Sequence, residues 1–76
     1  MASAGDHLYG TNCAVCHGVH GEGTRIGPSL LHIRARTTPA SLTAIILDPA
    51  PPMPRLEPGH ISRRDVSDIV AYLQTL

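Results

Sequence analysis

The sequence contains no phenylalanine, no tryptophan and no lysine. Tyr9 and Tyr72 are its only aromatic residues, so the bulky side chains that usually fill a small core are missing. Because aromatic residues for base stacking and blocks of positive charge are both lacking, we expect no nucleic-acid partner. No apolar run approaches the roughly 20 residues that a membrane-spanning helix needs. The chain also begins without the pattern of a signal peptide, which is expected of a mature or recombinant piece.

Cysteine is scarce as well, with two residues in a chain of 76, and the formal net charge is zero when histidine is neutral. A chain this short buries too little surface to be comfortably stable without a staple, a metal or a cofactor. The composition therefore predicts a single small domain, residues 1–76, whose core is completed by a large apolar cofactor.

The two cysteines stand in Cys13-Ala14-Val15-Cys16-His17, the pattern through which c-type haem is attached covalently. Each thiol adds to one of two neighbouring vinyl groups of the porphyrin, so both sulfurs must leave one short turn. His17, the next residue, then falls under the iron as an axial ligand. The sequence predicts one haem c, bound through Cys13 and Cys16, with His17 on the iron.

Three other interpretations of this pattern stay open. A structural zinc site would need His20 beside both cysteines and His17, and so tight a cluster leaves little room for tetrahedral geometry. A thioredoxin-like redox pair belongs beside a βαβ unit, and no segment here predicts a strand. The third is a chance occurrence in an unrelated small domain.

Residues 18–28 contain four glycines and end in Gly27-Pro28, which predicts a loop. A phosphate-binding loop would need a strand-to-helix junction, which is missing. We expect this loop to cover the proximal side of the haem, with the Pro28 carbonyl near Nδ1 of His17, where it would fix the tautomer of the ring. The residues expected to line the pocket beyond the loop are Leu30, Leu31 and Ile33.

Two arginines follow this segment, Arg34 and Arg36, and they have two interpretations. Both are ordinary solvated arginines of the surface, or one of them pairs with a haem propionate. The second interpretation has a geometric basis, because the planar guanidinium group suits a carboxylate.

Three segments predict helices, which indicates an all-α fold of about three helices and loops wrapped around one haem. The first runs from Ser3 to about Cys13, with Ser3 as N-cap and Asp6 three residues later. The second runs from Pro39 to Asp48 behind the N-cap Thr38. Its apolar face, expected to pack against haem, comprises Leu42, Ile45 and Ile46.

The third helix is predicted from a capping box of Ser62 and Asp65 and continues to the C-terminus. Its apolar residues recur at helical spacing and predict a buried face. These residues are Val66, Ile69, Val70 and Leu73.

Four prolines in residues 48–54 predict a stiff, extended loop around Met53. The functional interpretation makes Met53 the distal iron ligand, and the alternative is a linker in which a methionine happens to lie. The remaining histidines are competitors for that position, and the best of them, His60, lies seven residues after Met53. The others are His7, His20 and His32.

In this order, the motifs resemble those of small bacterial class I c-type cytochromes over nearly the whole chain. That family has a Cys-x-x-Cys-His motif after its first helix and a Gly-Pro-x-Leu stretch, matched by residues 27–30. Its methionine ligand is followed by proline, as in Met53-Pro54. Its terminal helices cross at a glycine and an aromatic residue. The residues matching that crossing are Gly5 and Tyr9, opposite Ile69 and Tyr72.

The resemblance implies a one-electron carrier with His17/Met53 ligation and few or no catalytic side chains, and therefore not an enzyme. It implies a periplasmic or otherwise extracytoplasmic monomer whose partners are redox proteins such as a dehydrogenase, oxidase or reductase. A thioether ligand and a largely buried haem predict a positive reduction potential. The short separation of Cys16 and Met53 predicts a trimmed loop at the propionate edge. Without lysine, the lysine ring that many family members use for docking is missing.

Two alternatives to a free carrier remain. The chain could be a cytochrome domain or subunit of a larger periplasmic dehydrogenase or oxidase. An open distal site, with Met53 off the iron and His60 or Arg55 above it, would instead suit a ligand sensor or a peroxidase-like protein.

Overall fold

The computed structural model describes residues 1–76, and it contains helices and loops without strands. The helices are α1 (Ala2–Asn12), α2 (Ala14–His17), α3 (Pro39–Leu47) and α4 (Arg63–Leu73), with a single 3₁₀ turn at Ile33–Ala35. The predicted all-α class is confirmed. The short α2 and the 3₁₀ turn were not predicted, and α4 ends at Leu73 rather than at the last residue.

The crossing of α1 and α4 is the main helix–helix contact of the molecule. Gly5 is buried at this crossing. A Cβ at this position would collide with the backbone carbonyl of Asp68 and would lie 2.8 Å from Cβ of Tyr72. One turn later, the rings of Tyr9 and Tyr72 pack with centroids 5.3 Å apart and planes tilted by 49°. The missing side chain of Gly5 thus lets the two helices approach closely.

The ends of α3 and α4 follow the predicted capping. The Thr38 hydroxyl accepts a hydrogen bond from the amide of Ser41 at 3.1 Å, and Pro39 occupies the first turn. In α4 the Ser62 hydroxyl accepts from the Asp65 amide at 3.0 Å, and the Asp65 carboxylate accepts from the Ser62 amide at 2.9 Å. Both caps are confirmed.

The predicted cap of α1 is wrong. The helix begins at Ala2 behind Met1, and no side chain caps it. The Gly5 amide already donates to the Met1 carbonyl at 3.0 Å. Ser3 therefore lies inside the first turn, with helical backbone angles, whereas an N-cap residue stands outside the helix.

The core consists of eight buried apolar residues, drawn from α1, α3, α4 and the loop before α4. The four residues of the predicted face of α4 are all among them, which confirms that face. On α3, Leu42 and Ile46 are buried but Ile45 is half exposed, so its apolar face is only partly inside. None of the helices has the length and apolar character needed to cross a membrane. The core residues are Tyr9, Leu42, Ile46, Ile61, Val66, Ile69, Val70 and Leu73.

Candidate haem-binding site

An apolar cavity of about 560 Å³ lies against one side of this core. Core side chains of α3 and α4 form part of its wall, among them Leu42, Ile46 and Ile69. Cavities of this size and character are typical of cofactor sites. The core is therefore closed by helices on one side only, and the side that faces the cavity presents an apolar surface.

The turn at α2 brings both cysteines to the wall of the cavity. The Cys13 carbonyl accepts from the amides of Cys16 and His17 at 3.1 and 3.0 Å, which closes one helical turn around the motif. The thiols are free rather than joined in a disulfide. Burial, with a contribution from negative charge on Cys16, raises the pKa of the Cys13 thiol to about 11. In this folded arrangement the Cys13 side chain is thus a neutral thiol at neutral pH.

The four groups of the zinc alternative, His20 included, do not come together in the folded chain. No three or more His, Cys, Asp or Glu side chains cluster closely enough to hold a metal ion. A structural zinc ion needs four such ligands in tetrahedral arrangement. The arrangement therefore lacks the ligand cluster that the zinc interpretation requires.

His17 lines the same cavity, and its Nδ1 lies 2.8 Å from the Pro28 carbonyl oxygen. Because a carbonyl can only accept, Nδ1 must carry the proton, and Nε2 keeps the lone pair that metal ligation requires. The acceptor can come this close because Gly27 has no side chain. A Cβ at Gly27 would lie 2.7 Å from the Cys16 carbonyl oxygen and 3.0 Å from Nδ1 of His17.

Hydrogen bonds from neighbouring segments satisfy the carbonyls that α2 leaves free at its end. The Gly23 amide donates to the His17 carbonyl at 2.7 Å. The Tyr9 hydroxyl, which is buried, donates to the Gly18 carbonyl at 2.7 Å. Burial, with a contribution from negative charge on Cys13, raises the pKa of Tyr9 to about 12. The backbone at His17 and Gly18 is therefore held by hydrogen bonds from both α1 and the glycine-rich loop.

Thr24, which the sequence did not single out, also contacts the end of α2. Its hydroxyl donates to the Cys16 carbonyl at 2.5 Å and accepts from the Ile26 amide at 3.0 Å. A hydroxyl that accepts from the amide two residues on is the local turn that Ser and Thr favour in loops. The sequence signal that could have predicted this turn is the position of Thr24, which follows Gly23 and precedes Gly27-Pro28.

Met53 is half-buried and lines the cavity, together with its neighbours Pro52 and Pro54. The Met53 amide donates to the Ala50 carbonyl at 3.1 Å, which folds the proline-rich loop back on itself. The rival His60 and Arg55 do not line the cavity. Three further histidines also lie outside it: His7, His20 and His32.

The remaining predicted site residues divide clearly. Pro28, Leu30, Ile46 and Arg36 line the cavity, whereas Arg34 does not, although both arginines are exposed.

The guanidinium of Arg36 has backbone partners of its own in the chain. One terminal nitrogen donates to the carbonyls of Ser29 and Leu31 at 3.1 and 3.2 Å. The expectation that Leu31 lines the pocket is wrong. Its side chain is 42% exposed, while the adjacent Leu30 lines the cavity.

These residues fit a covalently attached haem. Apolar walls surround two thiols from a single turn, an imidazole with Nδ1 engaged, and a thioether. An all-α fold with crossing terminal helices and this donor set defines a c-type cytochrome.

Comparisons with known proteins agree with this class. Residues 1–73 match the model of the family described as cytochrome c oxidase, cbb3-type, subunit III, and the chain belongs to that family. It is 36% identical over 76 residues to a cytochrome c-553-like protein of Synechocystis sp.. That alignment covers 99% of this chain and 69% of the relative. No solved structure matches the chain. The protein is thus an electron carrier that uses c-type haem, rather than an enzyme.

Proposed function

We propose that the protein carries single electrons on one haem c whose axial ligands are His17 and Met53. One observation carries this proposal: among the imidazole and thioether groups of the chain, only those of His17 and Met53 line the cavity that also receives Cys13 and Cys16. The haem iron supplies the one-electron couple between its ferrous and ferric states. The chain supplies attachment, ligation and a largely apolar environment.

The division of roles follows from the side chains. Cys13 and Cys16 would hold the macrocycle through thioether bonds, and His17 would donate from Nε2 because its Nδ1 is hydrogen-bonded to the Pro28 carbonyl. Met53 would supply the second protein ligand of the iron, which would leave no position for oxygen or peroxide. A soft thioether favours the ferrous ion, and a positive reduction potential is expected.

The cavity wall acts on the same equilibrium. Apolar side chains such as Leu42 and Ile46 exclude water, and a low dielectric disfavours the more highly charged state. Arg36 is the arginine proposed to bind a propionate, because it lines the cavity and Arg34 does not. Its backbone hydrogen bonds engage one of its terminal nitrogens, which leaves other N–H groups of the guanidinium for a carboxylate.

Electrons are proposed to leave and enter near the thioether edge. Val15, between the two cysteines, is 73% exposed and Ile26 is 63% exposed, yet both also line the cavity. Arg25 and Thr24 join them around a shallow depression. A surface that is mostly apolar and has no lysine suits a redox protein that docks through apolar contact, with little long-range steering. Such a partner is a dehydrogenase, an oxidase or a reductase.

A test of ligation is the near-infrared absorption of the ferric protein, where the methionine-to-iron charge-transfer band falls. The band is expected in the parent, absent in Met53→Ala and retained in His60→Ala, which removes the rival outside the cavity. The ferrous parent is expected not to bind carbon monoxide, whereas Met53→Ala binds it. A haem-loaded parent that lacks the band, or that binds carbon monoxide readily, contradicts ligation by Met53.

We further propose that the protein is a monomer outside the cytoplasm, where cytochromes c of this family typically function. A domain or subunit of a larger redox enzyme is the second candidate, favoured by the description of the matching family as an oxidase subunit. Haem staining of cell extracts after denaturing electrophoresis separates the two. A haem-stained band near 8.1 kDa that an antibody against this chain recognises supports the free carrier, and a much larger band supports the domain.

A further inference from the structure

We propose that Thr24 is a positioning residue for His17: its hydroxyl holds the loop that bears the acceptor of the imidazole Nδ1 proton, and so it affects the reduction potential. The proposal rests on the proposed ligation of iron by His17. It assigns a function to a side chain that does not line the cavity and forms no hydrogen bond with the imidazole ring.

The hydroxyl of Thr24 joins two parts of the chain. It donates at 2.5 Å to the carbonyl of Cys16, which is the residue directly before His17. It accepts from the Ile26 amide at 3.0 Å and has a longer contact, 3.4 Å, with the Gly27 amide. A single oxygen therefore ties α2 to the turn at residues 24–27.

The backbone of Thr24 closes the same turn from the other side. Its amide donates to the Gly27 carbonyl at 2.9 Å. The Gly27 backbone packs so closely against Cys16 and His17 that a Cβ there would lie 3.0 Å from Nδ1. Pro28, the next residue, presents the carbonyl that accepts from Nδ1 at 2.8 Å. A shift of this turn would therefore move the acceptor relative to the imidazole.

The consequence for the potential follows from the direction of that hydrogen bond. A carbonyl that accepts the Nδ1 proton makes the imidazole a stronger donor to the metal. Stronger donation stabilises the ferric ion more than the ferrous ion. Loosening of the Pro28 contact is thus expected to raise the reduction potential.

The exposure of Thr24 separates this role from a packing role. The residue is exposed and is no part of the buried core, so removing its hydroxyl opens no cavity in the core. Thr24→Val removes both the donor and the acceptor at almost constant volume, whereas Thr24→Ser keeps the hydroxyl. Thr43→Val is the matched control, since the Thr43 hydroxyl donates to the Pro39 carbonyl at 2.8 Å on α3.

The experiment follows the Nδ1 proton of His17 by NMR in the ferrous holoprotein, together with the reduction potential. In Thr24→Val the proton is expected to exchange with solvent at least tenfold faster than in the parent, and the potential to rise. In Thr24→Ser and Thr43→Val the exchange rate stays within twofold and the potential is unchanged.

Unchanged exchange and potential in Thr24→Val would overturn the proposal, and would show that water replaces the hydroxyl or that Thr24 is merely structural. If Thr24→Val takes up no haem, solvent exchange of the Thr24 hydroxyl proton in the parent protein tests the proposal instead. A Thr24 hydroxyl proton protected from exchange supports the role, and one exchanging at the solvent rate overturns it. Failure of His17 ligation is distinguished separately, because the parent itself would then lack the spectrum of a six-coordinate iron.

Discussion

At the scale of single residues, Tyr9 combines two functions that the sequence does not connect. Its ring packs against Tyr72 at the helix crossing, and its hydroxyl reaches the Gly18 carbonyl immediately after the haem-binding motif. The residue is 1% exposed, so ionisation would place a charge in an apolar environment and would break the hydrogen bond that the hydroxyl donates. Tyr9 therefore links the stability of the motif to its own protonation.

This link predicts a loss of stability at alkaline pH that depends on Tyr9. Burial raises its pKa above 10.0 on folding, so above pH 10 there is a window in which the folded chain binds more protons than the unfolded chain. The free energy of unfolding must then fall as the pH rises through that window. No lysine titrates there. In Tyr9→Phe the loss between pH 10 and 12 is expected to be much smaller, as measured by urea unfolding of the ferrous protein.

The Tyr72→Phe variant is the control for this measurement. The Tyr72 ring is half-buried, and its pKa is also raised, chiefly by burial. Because its hydroxyl donates no hydrogen bond, Tyr72→Phe is expected to cost less stability at neutral pH than Tyr9→Phe, which loses about 1 kcal/mol. An equal alkaline slope in the parent and in Tyr9→Phe would refute the role of Tyr9.

At the scale of elements, the crossing of α1 and α4 depends on one missing side chain. Gly5 is a poor helix former, and alanine would favour an isolated α1 by up to about 1 kcal/mol. In the folded chain, however, the added methyl group would overlap the backbone carbonyl of Asp68. Since that carbonyl belongs to α4 itself, relief would require the two helices to separate.

Gly5→Ala is therefore expected to destabilise the holoprotein by about 1–3 kcal/mol, the usual cost of overpacking. Gly10→Ala is the matched control on the same helix, because a Cβ at Gly10 would meet no atom within 4 Å. That variant is expected to be neutral or to gain up to about 1 kcal/mol. Thermal unfolding of both variants measures the difference. If the two substitutions change stability equally, the close crossing at Gly5 is incorrect.

The elements also show how far the sequence alone predicts this fold. Thr38 and the pair Ser62 and Asp65 cap their helices as predicted, because a cap needs only a side chain and an amide two or three residues away. Ser3 has the right residue type, but α1 starts one residue earlier. Where a helix starts depends on its packing against the rest of the molecule, which local patterns do not contain.

The candidate site has the same division between local and distant contacts. The positions of Cys13, Cys16 and His17 follow from their spacing in one turn, and that spacing is visible in the sequence. The functions proposed for Thr24 and Arg36 depend on contacts with segments several residues away. Arg34 and Arg36 are equivalent as a sequence pattern, and only the folded backbone places Arg36 at the cavity.

At the scale of the whole molecule, the core and the cofactor cavity share their side chains. Most of the eight buried apolar residues also line the cavity, including Tyr9, Ile69 and Leu73. Without a cofactor, the apolar side chains that line the cavity outside this core, such as Leu30, Ile33 and Met53, would stay only partly buried around about 560 Å³ of open volume. A chain of 76 residues has no second core to compensate.

This sharing predicts that the chain does not fold cooperatively without its cofactor. The double variant Cys13→Ala/Cys16→Ala, prepared free of haem, is expected to show poorly dispersed amide resonances and no cooperative thermal transition, because too little apolar surface is buried to offset the chain entropy. Cys13→Ala alone, which keeps one thioether bond, is expected to unfold cooperatively at a temperature below that of the parent. A haem-free double variant with dispersed resonances and a sharp transition would mean that the eight-residue core suffices, and that the cofactor is bound by a chain already folded.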